Sequence, residues 1–441
     1  MFVSGRRRRL SELRRSRLRS MLAGLSVLGL AMLAIAGCGS SSSSSSAASA
    51  SNAAATASGS GSSTSSSRSS SGGDAYLARV KAVVAGAESG FVYDPKPDLA
   101  GTLNPNDMVI LKPGQWRGPT SAPKAPQGKH IEVISCAAGS ACDGAADGAI
   151  DAAKALGWTA HYSASDGTPS GDVRAFDAAV ARHPSAIVGV ALSQSVLGQP
   201  MAAAHAQGIK VVGIALPHLM PPPNGYDQTA PAPEAAATQL QQWIAIADSD
   251  GKAKMGYMWD TASGTLGEVL PIAQKQVSLC SGCSQVPAVN HAYATASDPV
   301  SMARLTSSLI ERSPGLGYVL TPYGEGVPGI INGVKQSPNP NVKVISQNGE
   351  VEEVAAVHSG GLFADVGFSL NQMGWTGVDA LVRLLAGKQA LPVNDEGVVL
   401  HVFTQSNAPA NGNFNWAAAF PYEENYKKAW GVGGGSDGSG S

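Results

Sequence analysis

Charged side chains are scarce in this chain of 441 residues. Lys, Arg, Asp and Glu make up 14% of it, against roughly 25% in an average globular protein. Eight of the Arg precede Cys38, and without the first 37 residues the balance is 23 basic against 31 acidic residues. Nucleic-acid binding needs a clustered basic surface, so the composition argues against a nucleic-acid partner.

Motifs of enzyme chemistry are also missing. Outside its Gly- and Ser-rich tail, where 434–438 fits the pattern, the chain has no G-x-S-x-G. It has no H-E-x-x-H, and its eight His include no pair at metal-ligand spacing. A G-x-G-x-x-G match at 324–329 follows a predicted strand. A dinucleotide site also requires an acid about 20 residues later, where Gln347 and Asn348 stand. We predict no enzyme activity, no cofactor and no metal, and assign these glycines to a tight strand-to-helix turn.

One long apolar run is present at 21–36, and its 16 residues are fewer than the roughly 20 of a membrane-spanning helix. It follows the Arg-rich segment and ends in Ile35-Ala36-Gly37-Cys38, which resembles a bacterial lipobox with Ile in place of the usual Leu. We expect residues 1–37 to be a signal peptide and Cys38 to be lipidated. An ordinary cleaved signal with an incidental Cys is the alternative.

Residues 38–73 consist almost entirely of Ser, Ala, Gly and Thr after the first Cys. Such a segment cannot bury enough apolar surface to offset the entropy of ordering. We predict a disordered tether that spans roughly 30–35 Å by the random-coil rule. A tether of this kind would hold a folded domain away from a membrane.

Four cysteines remain after Cys38. An even number in an exported protein points to two disulfides, and the sequence allows three connectivities. We favour Cys136–Cys142 and Cys280–Cys283, because each pair closes a short loop. A four-Cys zinc site is the alternative, but its ligands normally come as two C-x-x-C pairs, and here one pair is C-x5-C.

Short β-branched runs alternate with Ala-rich segments from residue 129 onward. A strand around Ile131 is followed by a small-residue loop and a predicted helix over 143–156. Further strands are predicted at 158–163, 186–192 and 210–215. This alternation is typical of a parallel sheet covered by helices on both faces. Ligands bind beyond the carboxyl ends of such strands, which makes 136–143 the first candidate wall of a site.

Six prolines at 216–233 interrupt the alternation and predict a crossover. A second series follows, with strands predicted at 253–259, 317–321, 342–346, 361–366 and 398–403 and a second crossing at 347–353. We predict an α/β fold of two Rossmann-like lobes with parallel sheets joined by a multi-strand hinge. The predicted parts are an N-terminal helix and extended arm (74–128), lobe 1 (129–220 with 351–367), lobe 2 (221–350 with 368–430) and a disordered tail (431–441).

The order of elements resembles the type I periplasmic binding proteins, in the ribose-binding-like group that serves ABC transporters. The resemblance covers about 129–400. It is carried by IEVISCAAGSACDGAADGAIDAAKALGW, AIVGVALSQSVLGQPMAAAHAQGIKVVGI and LFADVGFSLNQMGWTGVDALVRLLAGK. The resemblance implies a small ligand held between two lobes that close like a Venus flytrap.

The chain departs from the sugar binders of this group at the expected site. Ser193-Gln194 replaces an Asp that is often followed by Arg, and Pro322-Tyr323 replaces an Asn-Asp pair, whereas Gln347-Asn348 keeps an amide. The remaining polar and aromatic groups would suit a small ligand. The candidate ligand-binding residues are Ser140, Ser193, Gln194, His218, Trp259, Asp260, Thr321, Tyr323, Asn348 and Asp365.

Several of these candidates have a structural alternative. Trp259 can be a core residue, and Asp260 can cap the helix that follows it. Ser193 can cap the next helix in the same way. His218 lies in the proline-rich crossover and can be an exposed hinge residue.

We interpret the chain as a substrate-binding lipoprotein of an ABC importer that captures a sugar or a small polar-aromatic molecule. The expected partners are the ligand, the permease and a membrane reached through the lipid anchor, with the monomeric domain on the extracytoplasmic side. The alternative is a sensing lipoprotein that presents its ligand to a membrane receptor. A lactose-repressor-like regulator would need an N-terminal DNA-binding motif, where this chain has a signal and a tether.

Overall fold

The computed structural model describes residues 68–95, 104–192, 194–216, 222–230, 233–261 and 263–432. Cys38, the predicted signal peptide, most of the predicted tether and the tail from 433 lie outside these residues. The helices are α1 Arg68–Ser89, α2 Ala141–Ala155, α3 Pro169–Val180, α4 Gln194–Ala206, α5 Glu234–Asp248, α6 Gly264–Gln276, α7 Tyr293–Ala296, α8 Pro299–Glu311, α9 Val327–Gln336, α10 Val351–His358, α11 Leu370–Leu385, α12 Trp416–Ala419 and α13 Tyr422–Trp430.

The strands are β1 Val92–Tyr93, β2 Val109–Ile110, β3 His130–Ser135, β4 Thr159–Ala164, β5 Ala186–Val190, β6 Lys210–Ile214, β7 Gln228–Thr229, β8 Lys254–Asp260, β9 Ser284–Gln285, β10 Val289–His291, β11 Tyr318–Leu320, β12 Lys343–Asn348, β13 Ala364–Phe368 and β14 Leu400–Phe403. None of the described helices is both long enough and apolar enough to cross a membrane.

The first sheet is entirely parallel, with the strand order β4-β3-β5-β6-β7. We call this sheet and the helices packed on it lobe 1. Its central strand β5 is buried along its whole length, because helices cover both faces of the sheet. The predicted strands at 186–192 and 210–215 are confirmed to within two residues.

The second sheet has the order β10-β8-β11-β12-β13-β14-β1-β2, and β9 also pairs with β8. We call this sheet and its helices lobe 2. Strands β8, β10, β11, β12 and β13 run parallel, whereas β14, β1 and β2 continue the sheet in antiparallel pairs. The predicted α/β fold with two parallel-sheet lobes is confirmed.

The N-terminal arm begins in lobe 2 and ends at lobe 1. Its first helix begins at Arg68, within the segment predicted as tether, and β1 and β2 extend the sheet beyond β14. The Trp158 indole donates a hydrogen bond of 2.7 Å to the Pro126 carbonyl, which anchors the end of the arm to lobe 1. The arm therefore runs from one lobe to the other.

The chain changes lobe at places that differ from the prediction. Strand β13 lies beside β12 in lobe 2, although 351–367 was assigned to lobe 1. Helix α11 packs on α2 and β6 of lobe 1, although 368–430 was assigned to lobe 2. The crossing occurs at Ser369, whose hydroxyl accepts a hydrogen bond of 3.0 Å from the Gln372 amide and caps α11. The prediction was wrong because a strand that stays in the sheet of one lobe has the same sequence pattern as a strand through which the chain passes to the other lobe.

Helices α2 and α11 pack in close contact through two glycines. A Cβ on Gly148 would lie 1.9 Å from the Asn371 carbonyl oxygen, and a Cβ on Gly374 would lie 2.2 Å from the Ala149 amide nitrogen. Both distances are far inside van der Waals contact. The two glycines therefore set how close α11 comes to α2 and hence where it sits on lobe 1.

Candidate functional site

The carboxyl ends of the strands in the two lobes meet in one region, which we call the cleft. The Thr265 hydroxyl at the start of α6 donates a hydrogen bond of 2.8 Å to the Ala215 carbonyl at the end of β6. A Cβ on Gly167 of lobe 1 would stand 3.8 Å from the Tyr293 ring of lobe 2. Open parallel sheets bind ligands at such edges. The cleft is therefore the candidate site.

Three residues at strand ends around the cleft have unusual backbone angles. Ala191 follows β5 with φ 53°, Ala215 follows β6 with φ 57°, and Asn348 ends β12 with φ 115°. Residues with a side chain avoid positive φ at a cost of order 1–3 kcal/mol, and such residues cluster at functional sites. Each lies where the chain leaves a sheet toward the cleft.

The wall contributed by lobe 1 is built on the first loop. Cys136 and Cys142 form a disulfide of 2.06 Å across it, as predicted. Asp143 accepts hydrogen bonds of 2.7 Å from the Ser135 hydroxyl, the Tyr162 hydroxyl and the Gly139 amide. Burial raises the pKa of Asp143, but these hydrogen bonds outweigh it and hold the pKa below its usual value. The loop is thus tied down by covalent and polar contacts.

On the lobe 2 side, Tyr323 joins two strand ends. Its hydroxyl donates a hydrogen bond of 3.0 Å to the Asp260 carboxylate at the end of β8. The Asp260 carboxylate also accepts a hydrogen bond of 3.2 Å from the Ser263 amide, so Asp260 both caps the next turn and holds Tyr323. The His291 ring meets the Tyr323 ring edge-on at a centroid distance of 6.1 Å. The two predicted residues Tyr323 and Asp260 are therefore in contact.

Tyr293 lies on the other side of Tyr323. The two ring centroids are 5.9 Å apart, and the Tyr293 hydroxyl donates a hydrogen bond of 3.0 Å to the Glu325 carboxylate. Burial raises the pKa of Glu325. Burial, with the nearby Glu325 and Glu352 charges, raises the pKa of Glu350 to about 7. A chain of tyrosines and carboxylates thus extends along the edge of lobe 2.

Two further acids lie beneath Glu350. The Ser346 hydroxyl donates a hydrogen bond to the Glu353 carboxylate, which also accepts one of 3.2 Å from the Glu350 amide. Asp365 has no exposed surface, and neither of its carboxylate oxygens has a side-chain partner. Burial and the neighbouring carboxylates raise the pKa of Glu353 and Asp365 well above their usual values. Burial thus favours the neutral form of both carboxyl groups.

The glycines at 324–326 form the turn that brings these groups together. They make one turn of 3-10 helix between β11 and α9, as expected for a tight strand-to-helix turn. A Cβ on Gly324 would lie 2.9 Å from Glu353 Cγ and 3.3 Å from Glu350 Oε2. The absence of a side chain therefore lets the two glutamates approach the strand end.

The other predicted site residues occupy varied places. Trp259 has no exposed surface, and its indole donates a hydrogen bond of 2.9 Å to the Leu266 carbonyl, so the structure places it in the core beneath α6. The Ser140 hydroxyl is buried and donates a hydrogen bond of 2.7 Å to the Ala137 carbonyl.

Further predicted site residues lie at other strand and helix ends or outside the described part of the chain. Gln194 is buried at the start of α4. Thr321 is fully buried at the end of β11, and its hydroxyl has no partner. Ser193 and His218 lie outside the described residues.

Sequence reasoning missed His291, Tyr293, Glu325 and Glu350. His291 ends a strand, β10, that is only three residues long, and Tyr293 comes two residues later. Glu325 sits inside the glycine motif, and Glu350 follows Asn348-Gly349. Their position directly after strands is the signal that could have found them.

A second depression lies away from the cleft. It has a volume of about 560 Å³ at the amino ends of β12 and β13, between α1 and α5. Its Lys343 pairs with Asp248 at 2.6 Å. None of its described lining residues has a buried side-chain polar atom without a partner. We therefore regard the cleft as the better candidate.

The described residues hold no group of three or more His, Cys, Asp or Glu side chains arranged to bind a metal ion. Cys280 and Cys283 form the second disulfide, as predicted, so all four described cysteines are paired. The zinc alternative is therefore wrong in the described part of the chain.

A family model for the periplasmic binding protein domain matches residues 131–389, which is more than half of the chain. No curated protein matches the chain by sequence.

Solved structures share the fold at low identity. GanP, a glucose-galactose binding protein from Geobacillus stearothermophilus, is 18% identical with a TM-score of 0.56, over 64% of this chain and 100% of that chain. An ABC transporter solute binding protein from Agrobacterium vitis, bound with alpha-D-tagatopyranose, is 18% identical with a TM-score of 0.57, over 64% and 97%. The XylFII–LytSN complex is 16% identical with a TM-score of 0.54, over 64% of this chain and 100% of that chain.

Proposed function

Because the chain belongs to the periplasmic binding protein family, we propose that it captures a small sugar or sugar-like solute in the cleft and delivers it to an ABC importer. As a member of this family it is a substrate-binding protein and not an enzyme. The lobes close around the solute as a Venus flytrap, and the permease recognises the closed form.

The observation that carries the proposal is the Tyr323–Asp260 pair at the meeting point of the lobes. Both side chains are less than 10% exposed, and they lie at the ends of neighbouring strands. The Thr265–Ala215 hydrogen bond crosses from lobe 2 to lobe 1 beside the same strand, β8. Convergent polar groups and aromatic rings are what a small polar solute requires of its binding site.

Two further parts of the proposal come from the sequence. Cys38 carries a lipid that anchors the protein to the membrane, and the tether holds the domain on the extracytoplasmic side. Replacing Cys38 with Ser should move the protein from the membrane fraction to the soluble fraction. Equal membrane association of both forms would contradict the anchor.

The binding proposal is tested by a thermal-shift screen of sugars, polyols and amino acids, followed by calorimetry of any hit. A ligand at 100 times its Kd should add about 2.7 kcal/mol of stability. Tyr323→Phe removes the hydroxyl that holds the Asp260 carboxylate and should weaken binding roughly tenfold, because the carboxylate is no longer fixed in place before the ligand binds.

Tyr318→Phe is the matched control. Tyr318 begins the same strand that Tyr323 follows, and its hydroxyl also donates to an aspartate, Asp248. It lies at the opposite edge of the sheet, so its loss should leave the affinity unchanged. No hit in a broad screen, or equal effects of the two variants, would contradict a site in the cleft.

A sensing lipoprotein is the second candidate, because the XylFII–LytSN complex has the same fold and includes a second protein. Gene neighbourhood separates the two roles. A permease and an ATPase beside this gene would support import, whereas a sensor kinase without them would support signalling.

A further inference from the structure

We propose that the solute bound in the cleft carries a protonated amine. This inference rests on the proposed solute-binding function and narrows its ligand. The relevant groups are the acids Asp260, Glu325 and Glu350 and the rings of His291, Tyr293 and Tyr323. They line the strand ends of lobe 2 at the cleft.

Negative charge gathers at this edge without a protein counter-charge. Glu325 and Glu350 are both half-buried at this edge. In the described part of the chain no Lys, Arg or His forms an ion pair with either of these two acids. Desolvated carboxylates are costly unless they are paired. A cationic ligand would supply the missing charge.

Two buried polar atoms beside these acids also lack partners. His291 is 7% exposed, its Nε2 has no partner, and its ring packs edge-on against Tyr323. Thr321 is fully buried, and its Oγ1 lies 3.9 Å from where a Cβ on Gly326 would stand, beside the turn that carries Glu325. Buried polar groups are nearly always satisfied. Unpartnered atoms at this place indicate that a ligand completes the site.

The aromatic rings are oriented for the same class of ligand. The Tyr323 and Tyr293 hydroxyls are both occupied by carboxylates, at 3.0 Å to Asp260 and 3.0 Å to Glu325. Their ring planes meet at 59°, so the two rings are tilted and do not stack face to face. An ammonium group over tyrosine faces gains about 0.5–2 kcal/mol. Rings with carboxylates behind them favour a cation more than they favour a neutral hydroxyl.

Matched ligand pairs test this directly. D-glucosamine is compared by calorimetry with D-glucose and with neutral N-acetyl-D-glucosamine, and ethanolamine is compared with uncharged ethylene glycol. The purified protein should bind the charged member of at least one set tenfold or more tightly than its neutral counterparts. Equal affinity within every set, or no binding of any amine, would overturn the inference.

The outcome also separates this inference from the broader proposal. Binding of neutral sugars without any preference for amines would overturn the amine and leave solute capture in place. A complete absence of binding across the broad screen would overturn both.

Charge-neutral variants locate the effect. Glu350→Gln and Glu325→Gln should each weaken binding of the preferred amine tenfold or more and leave binding of its neutral counterpart unchanged. Glu311→Gln is the control, because Glu311 is an exposed acid at the end of α8, near the opposite edge of the lobe 2 sheet. If all three variants bind the amine like the parent protein, the acids at the strand ends do not recognise it.

Discussion

Asn348 combines two roles at the scale of the single residue. It ends β12 with a φ of 115° and is 7% exposed, so its backbone is strained while its side chain is buried. Its amide also forms a hydrogen bond with Glu350 and lowers the pKa of that group against the effect of burial. Asn tolerates positive φ better than most residues because its short polar side chain bonds locally.

Replacing Asn348 separates these roles. Asn348→Ala should reduce the free energy of unfolding by about 1–2 kcal/mol, because Ala bears the full cost of positive φ. Asn348→Gly loses the same side chain without that cost and should remain within about 0.5 kcal/mol of the parent protein. Urea denaturation measures both. Equal stability of the two variants would show that the backbone angle carries no cost.

Trp259 shows the limit of reasoning from one residue type. A tryptophan at a strand end suggested a ring for stacking on a ligand. In the structure its indole bonds to Leu266 and its ring meets Tyr257 at 6.3 Å in an edge-on contact within the core. The alternative of a core Trp followed by a capping Asp describes this pair, although Asp260 also holds Tyr323.

At the scale of elements, the contact between α2 and α11 places the return of the chain to lobe 1. Helix α2 precedes the lobe 2 segment in the sequence and α11 follows most of it, yet the two helices pack side by side. The glycines that allow this contact are Gly148 and Gly374. The position of α11 follows from them, because any side chain would push the helices apart.

Gly374→Ala tests the helix contact. The added methyl would stand 2.2 Å from the Ala149 nitrogen and 2.3 Å from the Ala145 oxygen, and backbone atoms cannot move away as side chains do. We expect a loss of about 3 kcal/mol or more in unfolding free energy, at the upper end for overpacking. The measurement is a denaturant midpoint.

Gly317→Ala is the matched control. Its Cβ would lie 3.8 Å from the Lys254 carbonyl oxygen, an ordinary contact, and Gly317 does not have a positive φ. Its stability should stay within about 1 kcal/mol of the parent protein. A Gly374→Ala variant as stable as this control would mean that the two helices are free to separate.

At the scale of the whole molecule, buried carboxyl groups govern how stability depends on pH. Burial raises the pKa of Glu234 to about 7, and burial with neighbouring charges does the same for Glu350. Each folded-state pKa lies above that of the unfolded chain, near 4.5. Between these values the folded state holds a proton that the unfolded state releases.

Stability should therefore fall as the pH rises from about 4.5 through about 7, in contrast to proteins whose acids are paired. Thermal unfolding at pH 5.5 and pH 8 should show a lower Tm at the higher pH. The double variant Glu234→Gln, Glu350→Gln should reduce this difference, because neither position can then ionise. A Tm that rises over the same range would contradict the burial of these groups.

Several features of the fold followed from local sequence patterns. The two disulfides join the pairs that close short loops. The glycine motif at 324–329 was assigned to a tight turn, which the structure contains. Within the candidate site, Tyr323 and Asp260 were predicted from their positions after strands, and Asn348 from the family resemblance.

The rest depended on contacts between distant parts of the chain. Nothing in the patterns of β13 and α11 says which lobe each joins, because the same alternation of strand and helix occurs in both. The convergence of Tyr293 with Glu325 and Glu350 brings together residues from three separate turns.

The sequence by itself determined the α/β class, the order of elements and the doubled lobe, because periodicity, glycine and proline act over a few residues. The tertiary structure decided which side chains lose water and which neighbours they meet. Desolvation is a property of the packed molecule, and this is why Trp259 became a core residue while Glu325 and Glu350 became the acidic edge of the cleft.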